Sequence, residues 1–477
     1  MRYLITTSIP YVNDNPHIGH LYEYILADIF ARYFRNKNDI FFLSGVDENG
    51  IKIAKSAIEN NKKIKDFVDE KYLSFYSLKD KFYLSFDNFI RTSSENHKWG
   101  VYKFWQLCQD DIYIDKYCGY YCYSCEAYYE ENEVENLICP LHKKKLEKIE
   151  EKNYFFRLTK YLDQIKLLIE KEKIKIYPQE KKIEILNILK EKKIKDLSIS
   201  RDINRSYGWG ITTPNDNSQV IYVWFDALIN YLSGLGFGSD NETNFKKYWH
   251  EGEVIHFIGK DIVKFHAIYW PAMLLSAKIK VPDKIVVHYF INIRGEKMSK
   301  TIGNVIGPND LLNNNLEPDV IRAYFAYQNI FNDWDFNFQN IVNFREGILK
   351  KELGNLILRI YGLFRKYNRD IKLQKNLLKK ENLTTLNNYS KYMADFEINI
   401  AYQNIFNLVK ELNQFIDKEK IWQNLSEENI STLAYNLIDI LNVYQFLMPE
   451  KLNRVKNNLK IQDDFLINKD LELKPIF

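Results

Sequence analysis

The sequence is short of net charge, of cysteine and of any long apolar run. No stretch reaches the roughly 18 uncharged apolar residues that a membrane span needs, which excludes a helical membrane protein. The first strand pattern begins about two residues after Met1, which leaves no space for a signal or transit peptide. The chain is therefore expected to work in the cytoplasm, with no membrane partner. A formal charge of +4 over 477 residues says little about nucleic acid. Its distribution says more. Residues 143–196 carry 17 basic and 10 acidic side chains, a net of +7 against −3 for the remainder, a localised basic surface of the kind a phosphate backbone requires. The five cysteines, in a chain expected inside the cell, do not read as a disulfide framework. What is present, 46% hydrophobic and 27% charged residues, is the make-up of a globular protein, and 477 residues need three or more structural units.

Residues 3–9, "YLITTSI", are β-branched and apolar enough for a buried strand, and the Asn and Asp residues that follow supply turn chemistry. Pro16 suits a first helical turn. From Ile18, apolar side chains recur at Leu21, Tyr22, Ile25 and Ile29, one helix face, until Asn36 ends the run before "IFFLSG". The unit is strand, loop, helix, strand. In an open parallel sheet this loop is a nucleotide site, because the helix amino end offers N–H groups and partial positive charge to phosphate. His17 and His20 stand there, and Gly19 leaves room for a base or ribose to lie on the backbone. Taken alone, an HxGH is more often two surface histidines at a helix start, so a second signal is required.

Cys122, Cys125 and Cys139, with His142, form CxxC, thirteen residues, then CxxH. Three thiolates and an imidazole on two short chelating loops are a tetrahedral set suited to a structural Zn²⁺. Cys108 and Cys118 read as spare thiols.

Along the chain, strand and helix patterns alternate over 1–112. They give way over 113–218 to the cysteine cluster and basic helical stretches, and resume over 219–290. "RGEKMSKTIGN" opens the segment 291–345. From 346 to 477 only helical periodicity remains, in stretches near 340–368, 383–416 and 426–447. The expected class is α/β: a nucleotide-binding parallel sheet interrupted by an insertion, followed by an all-α bundle.

Lys297 and Lys300 lie on a loop flanked by Gly295 and Gly303, with the charge and hinge freedom of a mobile clamp on polyphosphate. Joined to "PHIGH" some 280 residues earlier, the pattern resembles a class I aminoacyl-tRNA synthetase. "PYVNDNPHIGH", "SGVDENG", the zinc knuckle, "NYFFRLTKY", "SISRD", "YVWFDALINY" and "HFIGKDIVKFHAIYWPAML" resemble the methionyl-tRNA synthetase family over essentially the whole chain.

The resemblance implies a Rossmann-type catalytic domain, ATP with Mg²⁺, one structural Zn²⁺, and methionine and tRNA(Met), initiator and elongator, as substrates. It implies that His17 and His20 contact the ATP phosphates, that Lys297 and Lys300 hold the departing pyrophosphate, and that Asp47 anchors the substrate ammonium. Ile9, Tyr11, Trp224, Ala227, Tyr231, Ile262 and His266 match the family's methionine pocket. Asn355, Arg359 and Trp422 match its anticodon readers. Ile9 stands where another aliphatic is frequent, Leu228 where proline is frequent, and Thr301 where serine is usual. No C-terminal tRNA-binding module follows the bundle, which favours a monomer.

Synthetases for leucine, isoleucine or valine carry a large editing insertion for which residues 113–218 are too few, and a cysteinyl enzyme would bind its substrate on an open zinc. A non-catalytic paralogue predicts erosion at "PHIGH", "KMSKT" or Asp47, and none is eroded. A nucleotidyltransferase acting without RNA leaves the helical bundle unexplained.

Overall fold

The computed structural model describes residues 1–477 apart from 123–126, 130–133, 135, 141–142, 192, 299–302, 374–387, 463–464 and 468–475. The chain forms two compact units: residues 1–16, 34–77 and 85–287, and residues 17–33, 78–84 and 288–477.

The first unit is built on a six-stranded sheet in the order Asn88–Arg91, Asp39–Val46, Arg2–Thr7, Glu253–Gly259, Lys284–His288, Lys175–Tyr177. Arg2–Thr7 pairs in parallel with both neighbours, Leu4 opposite Phe41 on one side and Val254 on the other. Five of its six residues are buried, as a strand covered on both faces requires. It ends before Pro10, which has no N–H to give the ladder. Pairing resumes for one residue at Tyr11 opposite Asp47. Strand order reverses at Arg2–Thr7, so the carboxyl ends of this strand and of Glu253–Gly259 flank the crevice where open α/β sheets bind ligands.

The stretch 113–218 is not only an insertion. Its Lys175–Tyr177 returns to the sheet as an edge strand, Ile176 opposite Ile285. The rest includes a long antiparallel hairpin, Ile112–Cys122 against Glu147–Phe156, with the cysteine segment at its far end, and the helices Leu162–Glu170 and Gln179–Lys190.

The second unit begins with the helix Ile18–Arg35, ended as expected at Asn36. The sequence suggested one apolar face, yet every residue from Leu21 to Ala31 is buried. Two acids on it are tolerated because each has a polar partner: Glu23 meets the His288 imidazole at 2.8 Å, and Asp28 meets the Arg322 guanidinium at 2.6 Å. After Pro308–Asn313 and Pro318–Ala326, a helical run extends from Phe338 to Tyr367, with wider turns over Arg345–Gly354, and stops at Asn368 in a left-handed conformation. The stretch expected at 383–416 is broken at Phe396, whose φ of 62° no helix accommodates, and Ile398–Lys418 starts beyond it. Glu427–Tyr444, capped by Ser426, and Pro449–Asn458 complete the bundle.

Candidate functional site

In the second unit the two lysine- and histidine-bearing segments meet. The N–H of Ile18 donates to the Ile306 carbonyl at 2.9 Å, which fixes the start of the helix to the chain just past the lysine loop. A Cβ on Gly19 would lie 2.8 Å from His17 Cε1, so glycine is what lets the imidazole keep this position, and 3.5 Å from Met298 Cε, an ordinary contact distance. The rings of His17 and His20 stack, centroids 3.7 Å apart and 18° from parallel. The His17 N–H donates to His20 Nδ1 at 3.2 Å, and the Gly19 N–H to His17 Nδ1 at 3.1 Å. In each ring Nδ1 is an acceptor, and the ring proton stands on Nε2. Burial, and then the neighbouring His17, push the His20 imidazole well below its usual pKa. His20 is thus a neutral donor at neutral pH. Lys297 is exposed with its Nζ 3.9 Å from the Phe290 ring centroid. Lys300 and Thr301 lie outside the described residues.

In the first unit Asp47 is 3% exposed at the end of Asp39–Val46, with its main chain bridged to Tyr11. The N–H of Asp47 donates to the Pro10 carbonyl at 2.9 Å, and the N–H of Val12 to the Asp47 carbonyl at 3.0 Å. Its Oδ1 accepts from the Asn49 N–H and from the Thr92 hydroxyl, each at 3.2 Å. Nearby, the Tyr231 hydroxyl is 2.8 Å from His266 Nε2, while His266 Nδ1 meets the Ile262 carbonyl at 3.0 Å. Because a carbonyl only accepts, His266 carries its proton on Nδ1, and Tyr231 donates to Nε2. Trp224 stacks on Phe265 at 3.7 Å and 8°. Ala227 is buried, and Ile9, Tyr11 and Ile262 are half-buried.

Several polar residues here escaped sequence reasoning. Asp226 is fully buried, held by Asn49 Nδ2 at 2.9 Å and facing His97 Nε2 at 3.3 Å, and burial raises its pKa against both partners. His256 is fully buried under Tyr231, ring centroids 4.3 Å apart, and burial with His266 beside it keeps the imidazole neutral. An aspartate inside "VWFDAL" was the one available signal. His97 and Thr92, in "RTSSENHKW", gave none.

At the far end of the long hairpin, Cys122 and Cys139 are buried in one small cluster with Leu146. Two thiols brought together this way fit half of the expected zinc set. Cys125 and His142 lie outside the described residues. Among the described residues no group of three or more ligand side chains stands together. In the bundle, Asn355 is exposed one turn before Arg359, whose guanidinium bonds Asn413 Oδ1 at 3.2 Å and Asp417. Trp422 is 39% exposed, and Lys366 Nζ holds its carbonyl at 2.6 Å. No described helix is long and apolar enough to cross a membrane.

A family profile described as "tRNA synthetases class I (M)" matches residues 3–150 and 132–361. The chain is 35% identical to the methionine--tRNA ligase of Rickettsia bellii over 494 residues, covering 99% of this chain and 95% of that protein. It is 34% identical to the methionine--tRNA ligase of Fusobacterium nucleatum over 483 residues, 97% of this chain and 75% of that one. The crystal structure of Mycobacterium tuberculosis methionyl-tRNA synthetase bound by methionyl-adenylate superimposes with a TM-score of 0.90 at 29% identity, covering all of both chains.

Proposed function

This chain belongs to the class I methionyl-tRNA synthetases, and from that premise we propose how its residues divide the work. The reaction joins methionine to tRNA. Methionine and ATP give methionyl-adenylate and pyrophosphate, and the 3′-terminal adenosine of the tRNA then takes the methionyl group. In the first step a carboxylate oxygen bonds to the α-phosphorus in line with the bond to pyrophosphate, which breaks.

The Nε2–H groups of His17 and His20 would donate to the phosphate oxygens as charge grows there, with Gly19 giving access to the backbone. Lys297 and Lys300 would hold the departing pyrophosphate by charge, and Mg²⁺ would enter with the ATP. Neutral imidazoles suit this work, since they donate without forming a tight ion pair to be broken on release.

Asp47 would take the substrate ammonium. Ile9, Tyr11, Trp224, Ala227, Tyr231, Ile262 and His266 would enclose the thioether, which aromatic walls hold while their shape excludes branched chains. Tyr231 would give its hydroxyl proton to His266 and present its ring to the thioether. Asn355 and Arg359 would read splayed-out bases of the CAU anticodon, and Trp422 would stack on one. Cys122, Cys125, Cys139 and His142 would hold a structural zinc that keeps the tip of the hairpin folded.

The observation that carries this reading is the meeting of the two signature segments: the Ile18 N–H bonds the Ile306 carbonyl, and the space a Cβ on Gly19 would take is bordered by both His17 and Met298. The test is exchange of pyrophosphate into ATP with methionine, leucine, isoleucine, valine or cysteine offered separately. Methionine alone should support exchange, and His20→Ala should abolish it. Exchange with another amino acid would overturn the pocket assignment. Undiminished exchange in His20→Ala would overturn the role of the histidine.

A further inference from the structure

Two acids stand side by side at the end of Asp39–Val46, and a single hydroxyl tells them apart. Thr92 Oγ1 accepts from the Glu48 N–H at 2.9 Å, so its one proton is directed to Asp47 Oδ1 at 3.2 Å. Glu48 turns the other way, its carboxylate taken by Arg91 Nε at 2.8 Å and by the Ser93 hydroxyl. Asp47 receives a second donor from the Asn49 main chain, and Asn49 is itself held. Its Nδ2 donates to the Thr92 carbonyl at 3.2 Å and to Asp226 Oδ2 at 2.9 Å. Asp226 Oδ1 faces His97 Nε2 at 3.3 Å, His97 Nδ1 meets Ser233 Oγ at 2.7 Å, and that hydroxyl donates to the Ile229 carbonyl at 3.2 Å. Every member is buried, with Thr92, His97 and Asp226 at 0% exposure.

Apolar side chains of the same shape would fill this space without desolvating an acid and an imidazole, so a buried chain of this kind is retained for geometry rather than for stability. An aspartate has one soft torsion that aims its carboxylate, and two donors from different segments remove that freedom.

We infer that Thr92 and Asn49, braced on the buried Asp226–His97 pair, are positioning residues for Asp47 and aim its carboxylate at the substrate ammonium. The inference rests on the reading of Asp47 as the ammonium anchor. Neither residue touches the reacting atoms; both act through Asp47.

The test separates the ammonium from the rest of methionine. Inhibition of methionine-dependent pyrophosphate exchange is measured with methioninol, which keeps ammonium and thioether, and with 4-(methylthio)butan-1-ol, which lacks the ammonium. Thr92→Val keeps the shape and removes the hydroxyl, Thr92→Ser restores it, and Asn49→Ala breaks the chain one step further out. The inhibition constant of methioninol should rise about tenfold in Thr92→Val and in Asn49→Ala and return in Thr92→Ser. The constant for 4-(methylthio)butan-1-ol and the KM for ATP should stay as they are. Unchanged methioninol inhibition in Thr92→Val, while Asp47→Asn raises it, overturns the inference. Equal weakening of both inhibitors also overturns it, since that marks a deformed pocket. Unchanged inhibition in Asp47→Asn instead overturns the anchor reading. If Thr92→Val does not fold, Asn49→Ala decides by the same comparison.

Discussion

Replacing Arg322 by methionine should unlock the helix that carries His20. The guanidinium is fully buried and makes four hydrogen bonds: Nη2 to Asp28 Oδ2 at 2.6 Å and to the Phe446 carbonyl at 3.0 Å, Nε to the Leu447 carbonyl at 2.9 Å, and Nη1 to the Phe82 carbonyl at 3.1 Å. It thereby joins the helix Ile18–Arg35, the segment 78–84, its own helix and the turn after Glu427–Tyr444. Methionine fills most of the volume and replaces none of the bonds. Three carbonyls lose a donor, at about 1 kcal/mol or more each. Asp28 loses the stronger of two cations but keeps Arg32 at 2.7 Å. The sum agrees with the roughly 3–5 kcal/mol expected for breaking a buried pair from one side. At a urea slope of about 3 kcal/mol/M, the unfolding midpoint should fall by about 1 M or more. Arg32→Met, at a partly exposed site, should cost about 1 kcal/mol. Hydrogen exchange should quicken across Ile18–Arg35 and around 446–447, and the exchange of pyrophosphate should slow because His20 lies two turns from Asp28. An Arg322→Met midpoint within about 0.2 M of the parent would refute the reasoning.

Gly19→Ala should leave the thermal midpoint nearly unchanged, because the clash is with a side chain that can swing away, yet lower kcat for adenylation about a hundredfold, since His17 would be displaced by about 1 Å. Folded His256 stays neutral where the unfolded chain protonates near pH 6.5, so its contribution is complete above that pH and is lost as pH falls below it. Denaturant titrations should therefore show His256→Phe gaining about 1 kcal/mol on the parent between pH 6.5 and 5.5, and parallel curves would contradict this. Trp422→Ala should lower kcat/KM for tRNA at least tenfold while pyrophosphate exchange stays intact, a split that steady-state charging assays report.

The helix Ile18–Arg35 was legible because its signals are local: a proline before it, a regular apolar face and an asparagine after it. The burial of its whole circumference was not, since the partners of its acids, His288 and Arg322, lie more than 260 residues away. "KIY" at 175–177 is too short to announce a strand, and its partner at 284–286 is distant. At the candidate site the residues with a recognisable motif, His17, Gly19, His20 and Asp47, could be named in advance. Thr92, Asn49, His97 and Asp226 could not, because what distinguishes them is contact between segments as much as 177 residues apart.

The reversal of strand order at Arg2–Thr7 also sets a schedule for the nascent chain. That strand and Asp39–Val46 leave the ribosome early, but the opposite wall of the crevice, Glu253–Gly259, follows only after about 210 residues more, roughly 10–40 s at ordinary rates of synthesis. Throughout that interval "YLITT" has one hydrogen-bonding edge paired and the other bare. The long hairpin is made during the wait, and the pairing of Ile112–Cys122 with Glu147–Phe156 is local. The chain can thus pair this hairpin before its parallel sheet, whose edge strand Lys175–Tyr177 must wait for residues 284–286, and a chaperone that shields a sticky strand edge would be needed most before residue 253 emerges.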